Sequence, residues 1–162
     1  MHANRNASGL EQDLMVDAVL SASRVLVAIA ARSLADAGEE VTLTQYRSLV
    51  VLATHGPQGV AALSEAVAVT PPTASRLVDR LVKKGLVRRR TDRTDRRQVR
   101  IALTESGRTL IDAVSTRRRK EIAQLLSTIA PETQQSVVDA LAQLAAVAGE
   151  VPEQDWSTGW DL

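Results

Sequence analysis

A chain of 162 residues with 44% apolar content is long enough for one domain, or two small ones sharing a core. The absence of cysteine excludes disulfides, thiolate zinc sites and thiol redox switches. No Phe, one Tyr and two Trp, both Trp in the polar C-terminal stretch, argue against an exposed-ring platform for single-stranded nucleic acid. The net charge is only +1, yet residues 83 to 100 hold nine cations against Asp92 and Asp95, a local net of +7 that leaves −6 on the remainder. Such a separation is the footprint of a polyanion-binding surface on an acidic body. With no apolar run of membrane-spanning length and no secretory leader read in the sequence, a cytoplasmic protein that avoids membranes is expected.

Residues 1 to 7 are polar and read as a flexible tail, after which Ser8 with Glu11 forms a capping box opening a long helix to about Asp36. A short buried helix starts near Thr42 or Thr44, carries Tyr46, Leu49, Leu52 and Ala53, and stops at His55-Gly56-Pro57. Next comes a helix pair split by a tight turn: Ala61 to Val67, then Pro71 to Lys84. Thr70 stands at the N-cap, Pro71 at the first helical position and Gly85 at the stop. Ala74, Leu77, Val78 and Leu81 follow i, i+3, i+4, i+7 and must face a core.

Past Gly85 the period falls to two. Val99, Ile101 and Leu103 alternate with Gln98, Arg100 and Ala102, and pair with Leu86 to Thr91 across the charged link Asp92 to Arg97. Thr104 caps a long helix to about Ile129, Pro131 restarts a last helix through Val147, and residues 151 to 162 read as an acidic, flexible tail. The fold class is therefore mainly α with a small β-hairpin. Residues 42–103 form the reading domain and residues 8–37 with 104–148 form a helical region. Leu- and Ala-rich faces at both chain ends point to an intertwined homodimer.

In the helix Pro71 to Lys84, the cationic side left over by the apolar stripe is the candidate reader of double-stranded DNA. Arg76 lies in its first half, and a guanidinium bonds guanine O6 and N7 together. Thr73 and Ser75 offer hydroxyls, Thr70 and Pro72 share that end of the helix, and Arg80 and Lys83 lie farther along, toward phosphate. At the hairpin tip Arg93, Arg96 and Arg97 suit phosphate or a narrow A·T minor groove. Asp95 is repelled by phosphate and is assigned with Arg89 to holding the hairpin in shape. The run Arg117 to Lys120 is read as a solvated helix face. His2 and His55 have no companion ligands at metal-binding spacing, so no metal, cofactor or catalytic centre is expected.

The order of elements, together with TLTQYRSLVVL, SRLVDRLVKKGLVRR, Asp95-x-Arg97 and ALTESGR, resembles the MarR family of bacterial winged helix-turn-helix transcription regulators over about residues 10 to 148. Ala68 departs from the pattern, since the family often has Gly in that turn. The resemblance implies a winged helix with a helical dimerisation region, a homodimer on a pseudo-palindromic operator, and Arg97 in the minor groove. It also implies repression relieved by a small aromatic or phenolic ligand bound between the dimer helices and the winged domain. Tyr46, Arg47, His55, Ser75 and Arg89 are the polar groups available to line such a pocket. The competing reading is a winged-helix interaction module whose basic wing binds an acidic partner protein. An enzyme has the least support, because no nucleophile elbow, phosphate loop or metal cluster is present in the sequence.

Overall fold

The computed structural model describes residues 3–38, 40–91, 98–153 and 156. In chain order the elements are α1 (Ala3–Ala35), α2 (Leu43–His55), α3 (Val60–Ala66), α4 (Pro71–Lys83), β1 (Val87–Thr91), β2 (Val99–Leu103), α5 (Glu105–Leu126) and α6 (Pro131–Val147). The expected fold, mainly helical with one hairpin, is the fold observed.

Helix α2 is the centre of the core. Thr42 caps it in a full capping box, its hydroxyl accepting from Gln45 N at 3.2 Å while Gln45 Oε1 accepts from Thr42 N at 3.0 Å. Nearly every side of α2 is covered, with Leu49 and Leu52 wholly buried. Around it lie Leu63 of α3, Leu77, Val78 and Leu81 of α4, Ile101 and Leu103 of β2, and Leu110, Ile111 and Val114 of α5.

Between α3 and α4 the chain turns through a Schellman motif, with Ala68 N donating to Glu65 O and Val69 N to Ser64 O. Ala68 occupies the left-handed position at φ 54°, alone among the described non-glycine residues. A Cβ in that region costs about 1–2 kcal/mol, which is the physical content of the family departure at this residue.

The hairpin pairs Val87 with Leu103 and Thr91 with Val99. Ile101 also exchanges two backbone hydrogen bonds with Gln58, so the inner edge of β2 is satisfied by the loop ahead of α3. Strict alternation fails at both ends of β2: Val99 is exposed, and Ala102 is buried beside Ile101 and Leu103. Near the tip no core remains to cover Val99, whereas next to α5 both faces are covered.

Where α5 begins, two bonds tie its N-cap to the residues just ahead of β1, and a third caps the helix. Thr104 N donates to Leu86 O, Thr104 Oγ1 donates to Gly85 O at 2.6 Å, and Gly107 N donates back to Thr104 Oγ1. Gly107 is required by this closeness, because a Cβ there would lie 2.2 Å from the Leu86 carbonyl oxygen.

Four readings of the sequence are corrected. Helix α1 starts at Ala3, so Ser8 lies inside the helix instead of capping it, and residues 3–7 belong to the helix and not to a tail. Helix α5 stops at Leu126, short of Ile129, and a turn leads to Pro131. Gly9–Ala35 is long and apolar enough to cross a membrane by length and composition alone, because its Ala, Val and Leu residues outweigh a few scattered charges. The C-terminal stretch is not wholly a free tail, since Trp156 packs against the core and its indole N–H donates to Val151 O at 3.0 Å.

Replacing Ala68 by Gly removes the left-handed strain and is expected to stabilise the protein by about 0.5–1 kcal/mol, after allowing for the greater freedom of Gly in the unfolded chain. Denaturant unfolding of A68G checks this, and a midpoint equal to or below the parent's contradicts it.

Candidate nucleic-acid interface

The apolar stripe of α4 sets its rotation. Ala74, Leu77, Val78 and Leu81 are buried, so Thr73, Arg76, Arg80 and Lys83 emerge on the opposite, exposed side. Arg76, Arg80 and Lys83 follow i, i+4, i+7 and form a single cationic row. Thr70 and Pro72 are exposed at its N-terminal end and Ser75 is half-buried beside it. Thr70 has the extended backbone of an N-cap, but its hydroxyl meets the Thr73 hydroxyl at 2.9 Å and caps no backbone amide.

Asp79 would oppose a polyanion on this face. Its carboxylate accepts from Arg89 Nη2 at 2.6 Å, which offsets the charge and ties α4 to β1. Both side chains are about half exposed, so the pair contributes orientation more than stability. Arg89 thus holds the base of the hairpin through α4. In the strands, Arg90 and Arg100 stand directly opposite each other, two cations in one cross-strand position. Arg93, Asp95, Arg96 and Arg97 lie outside the described residues.

A second feature sits behind this surface. A cavity of about 740 Å³ opens between α2 and α5, with Tyr46 and Arg47 on one wall and Ser115, Arg118 and Arg119 on the other. His55, Ser75 and Arg89 do not line it; the His55 ring instead lies 3.3 Å from the Val51 carbonyl. The Tyr46 hydroxyl and Arg118 Nε are buried with no hydrogen-bond partner among the described residues. Burial raises the Tyr46 pKa above 10.0, opposed by the nearby Ser115 hydroxyl and Arg118 guanidinium, whose contacts fall short of a formed hydrogen bond.

At the rim, Glu150 accepts two bonds from Arg47, at 2.9 and 2.8 Å. This fork raises the Arg47 pKa and lowers that of Glu150. The sequence reading missed Arg118, Arg119, Glu150, Glu153 and Trp156 as cavity residues. Trp156 was the available signal, a large ring in a polar tail, which needs somewhere to pack. Among the described residues no cluster of three His, Asp or Glu side chains is arranged to hold a metal ion.

A profile of the MarR family matches residues 41–99. The crystal structure of RV1404 from Mycobacterium tuberculosis superposes with TM-score 0.82 at 40% identity, covering 87% of this chain and 96% of that one. The chain belongs to the MarR family. Another relative is the HTH-type transcriptional repressor NicR of Pseudomonas putida, 41% identical over 75 residues, which are 46% of this chain and 48% of NicR. The match therefore spans about half the length of that curated relative. A mutant of S. aureus MepR bound to an oligodeoxyribonucleotide superposes with TM-score 0.60 at 25% identity, over 79% of this chain and 93% of that one. As a MarR-family member, the chain is classed with transcription regulators and not with enzymes.

Tyr46 is the single tyrosine, so its titration is directly visible as tyrosinate absorbance. The expected midpoint lies above 10.0. A phenol whose folded pKa is raised stabilises the fold fully below the unfolded pKa, and that contribution is lost as pH rises through the folded one. A midpoint at or below 10.0 contradicts the buried, partnerless hydroxyl.

Proposed function

We propose that the chain is a homodimeric, sequence-specific repressor that binds double-stranded DNA at a pseudo-palindromic operator in the cytoplasm. The observation that carries this is the row Arg76, Arg80 and Lys83 on the exposed side of a helix whose other side is locked into the core. A helix so placed can enter a major groove, with Arg76 reading base edges, Arg80 and Lys83 on phosphates, and Thr70, Pro72, Thr73 and Ser75 at the leading end. The hairpin follows directly, and its Arg93, Arg96 and Arg97 are assigned to the adjacent minor groove. The relative named as a repressor and the one solved with an oligonucleotide support the same reading.

The homodimer rests on apolar side chains that one copy leaves uncovered. Leu10, Leu14, Met15, Val19, Leu20 and Val27 of α1 are exposed, as are Val138, Leu141, Leu144 and Val147 of α6. No residue of α6 is buried. Patches of this extent in helices at both chain ends fit a second copy of the same surface. Residues 8–37 and 104–148 are accordingly assigned to dimerisation and residues 42–103 to DNA.

Relief by a small aromatic or phenolic ligand is assigned to the cavity between α2 and α5. Two buried polar groups without partners, the Tyr46 hydroxyl and Arg118 Nε, line an apolar-walled space large enough for such a molecule.

Selection of genomic fragments by the purified protein should return a palindrome with half-sites about one turn, roughly 10 bp, apart, bound by two chains in sedimentation. R76A should weaken that operator by about 1–3 kcal/mol, and affinity should fall steeply with salt. Binding insensitive to both would sink the proposal.

A further inference from the structure

None of the residues of α6 is buried, and near its start Val137 and Val138 stand across a groove of about 300 Å³ from Ala123 and Leu126 of α5. Its far end is held differently. After Val147 the chain turns at Gly149, whose φ of 70° is left-handed, with Gly149 N donating to Ala146 O and Glu150 N to Ala145 O. Glu150 leaves that turn facing α2, where its two carboxylate oxygens accept from the Arg47 guanidinium at 2.9 and 2.8 Å. Three residues on, Glu153 accepts from Arg119 Nη2 of α5 at 3.0 Å.

The Arg47–Glu150 contact therefore ties a helix assigned to dimerisation directly to the reading domain, without passing through α5. Its anchor on that domain is rigid. Arg47 follows the buried Tyr46 on α2, and Leu49 and Leu52 of the same helix share one core with Leu77, Val78 and Leu81 of α4. A tilt at this fork is thus passed to α4 as a whole. Both side chains are part-exposed, 47% for Arg47 and 39% for Glu150, so the pair adds little to stability. What two parallel N–H···O bonds supply is a fixed direction. The 17 residues of α6 span about 25 Å, so a swing of about 10° at one end displaces the other by about 4 Å. That exceeds the rise of one base pair, about 3.4 Å.

We infer that Arg47 and Glu150 are positioning residues, whose fork fixes the angle between the α6 dimer arm and the reading domain, and thereby the separation of the two α4 helices on DNA. This rests on the reading of the chain as a homodimer on a palindromic operator. Without the fork, the arm holds the matching separation only part of the time, and operator affinity falls by that fraction.

The test uses the full chain with E150Q, which removes the charge of the acceptor, and R47K, which keeps the charge but not the fork. Each is measured by sedimentation, by denaturant unfolding, and by binding to the selected operator and to operators whose half-sites are moved one base pair closer or farther. The expected result is dimers with the association and unfolding midpoint of the parent, about tenfold weaker binding to the selected operator, and about a tenfold loss of preference over the shifted ones. The swap R47E with E150R should restore both. Parent-like affinity and spacing preference in either single variant overturn the joint while leaving the dimeric regulator standing, as does a swap that restores neither. Dissociation of the E150Q dimer also overturns it, because the pair then serves association and not angle. A parent that is monomeric, or that selects no palindrome, overturns the regulator reading and the joint together.

Discussion

Burial of one stripe on α4 governs everything that faces outward. Ala74, Val78 and Leu81 are completely buried and Leu77 nearly so. Each fully buried Leu or Val contributes about 1.5–3 kcal/mol, whereas an exposed ion pair such as Asp79–Arg89 contributes about 0.2–1 kcal/mol. The core therefore sets the rotation of the helix, and the salt bridge only trims the angle of the hairpin against it. Because the cationic row lies on the side opposite that stripe, its direction is a consequence of packing and not of the charges themselves.

Close packing also joins the hairpin to α5. Thr104 and Gly107 seat the first turn of α5 on the Gly85 and Leu86 carbonyls, at a separation that admits no side chain. From that seat α5 continues as a single helix past Val114 in the core to Arg118 and Arg119 at the cavity. One rigid element is thus shared by the wing, the core and the cavity wall. Helix α2 is shared in the same way, contributing Leu49 and Leu52 to the core and Tyr46 and Arg47 to the cavity.

Outside this framework the balance reverses. Most of α1 and all of α6 bury nothing within one copy, apart from Ile29, Ser33 and Leu34 near the end of α1. A helix of that length and composition satisfies a membrane criterion and a dimer criterion equally well. The apolar residues of α1 accompany a second uncovered apolar helix, α6.

Local and periodic features were readable from residues alone: a helix start near Thr42, the Ala74–Leu81 stripe, Thr104 as a cap and the basic hairpin after Gly85. These depend on neighbours within a turn or two, and the side-chain chemistry there has few alternatives. Tertiary structure decided the rest. It showed that Arg118 and Arg119 line a cavity, though a basic run looks the same in sequence whether its face is solvated or enclosed. It returned Glu150 to Arg47 of α2, a contact between residues 103 apart in the chain. Such long-range pairing leaves no periodic trace, because it is selected by the shape of a folded surface that does not exist until the core has formed.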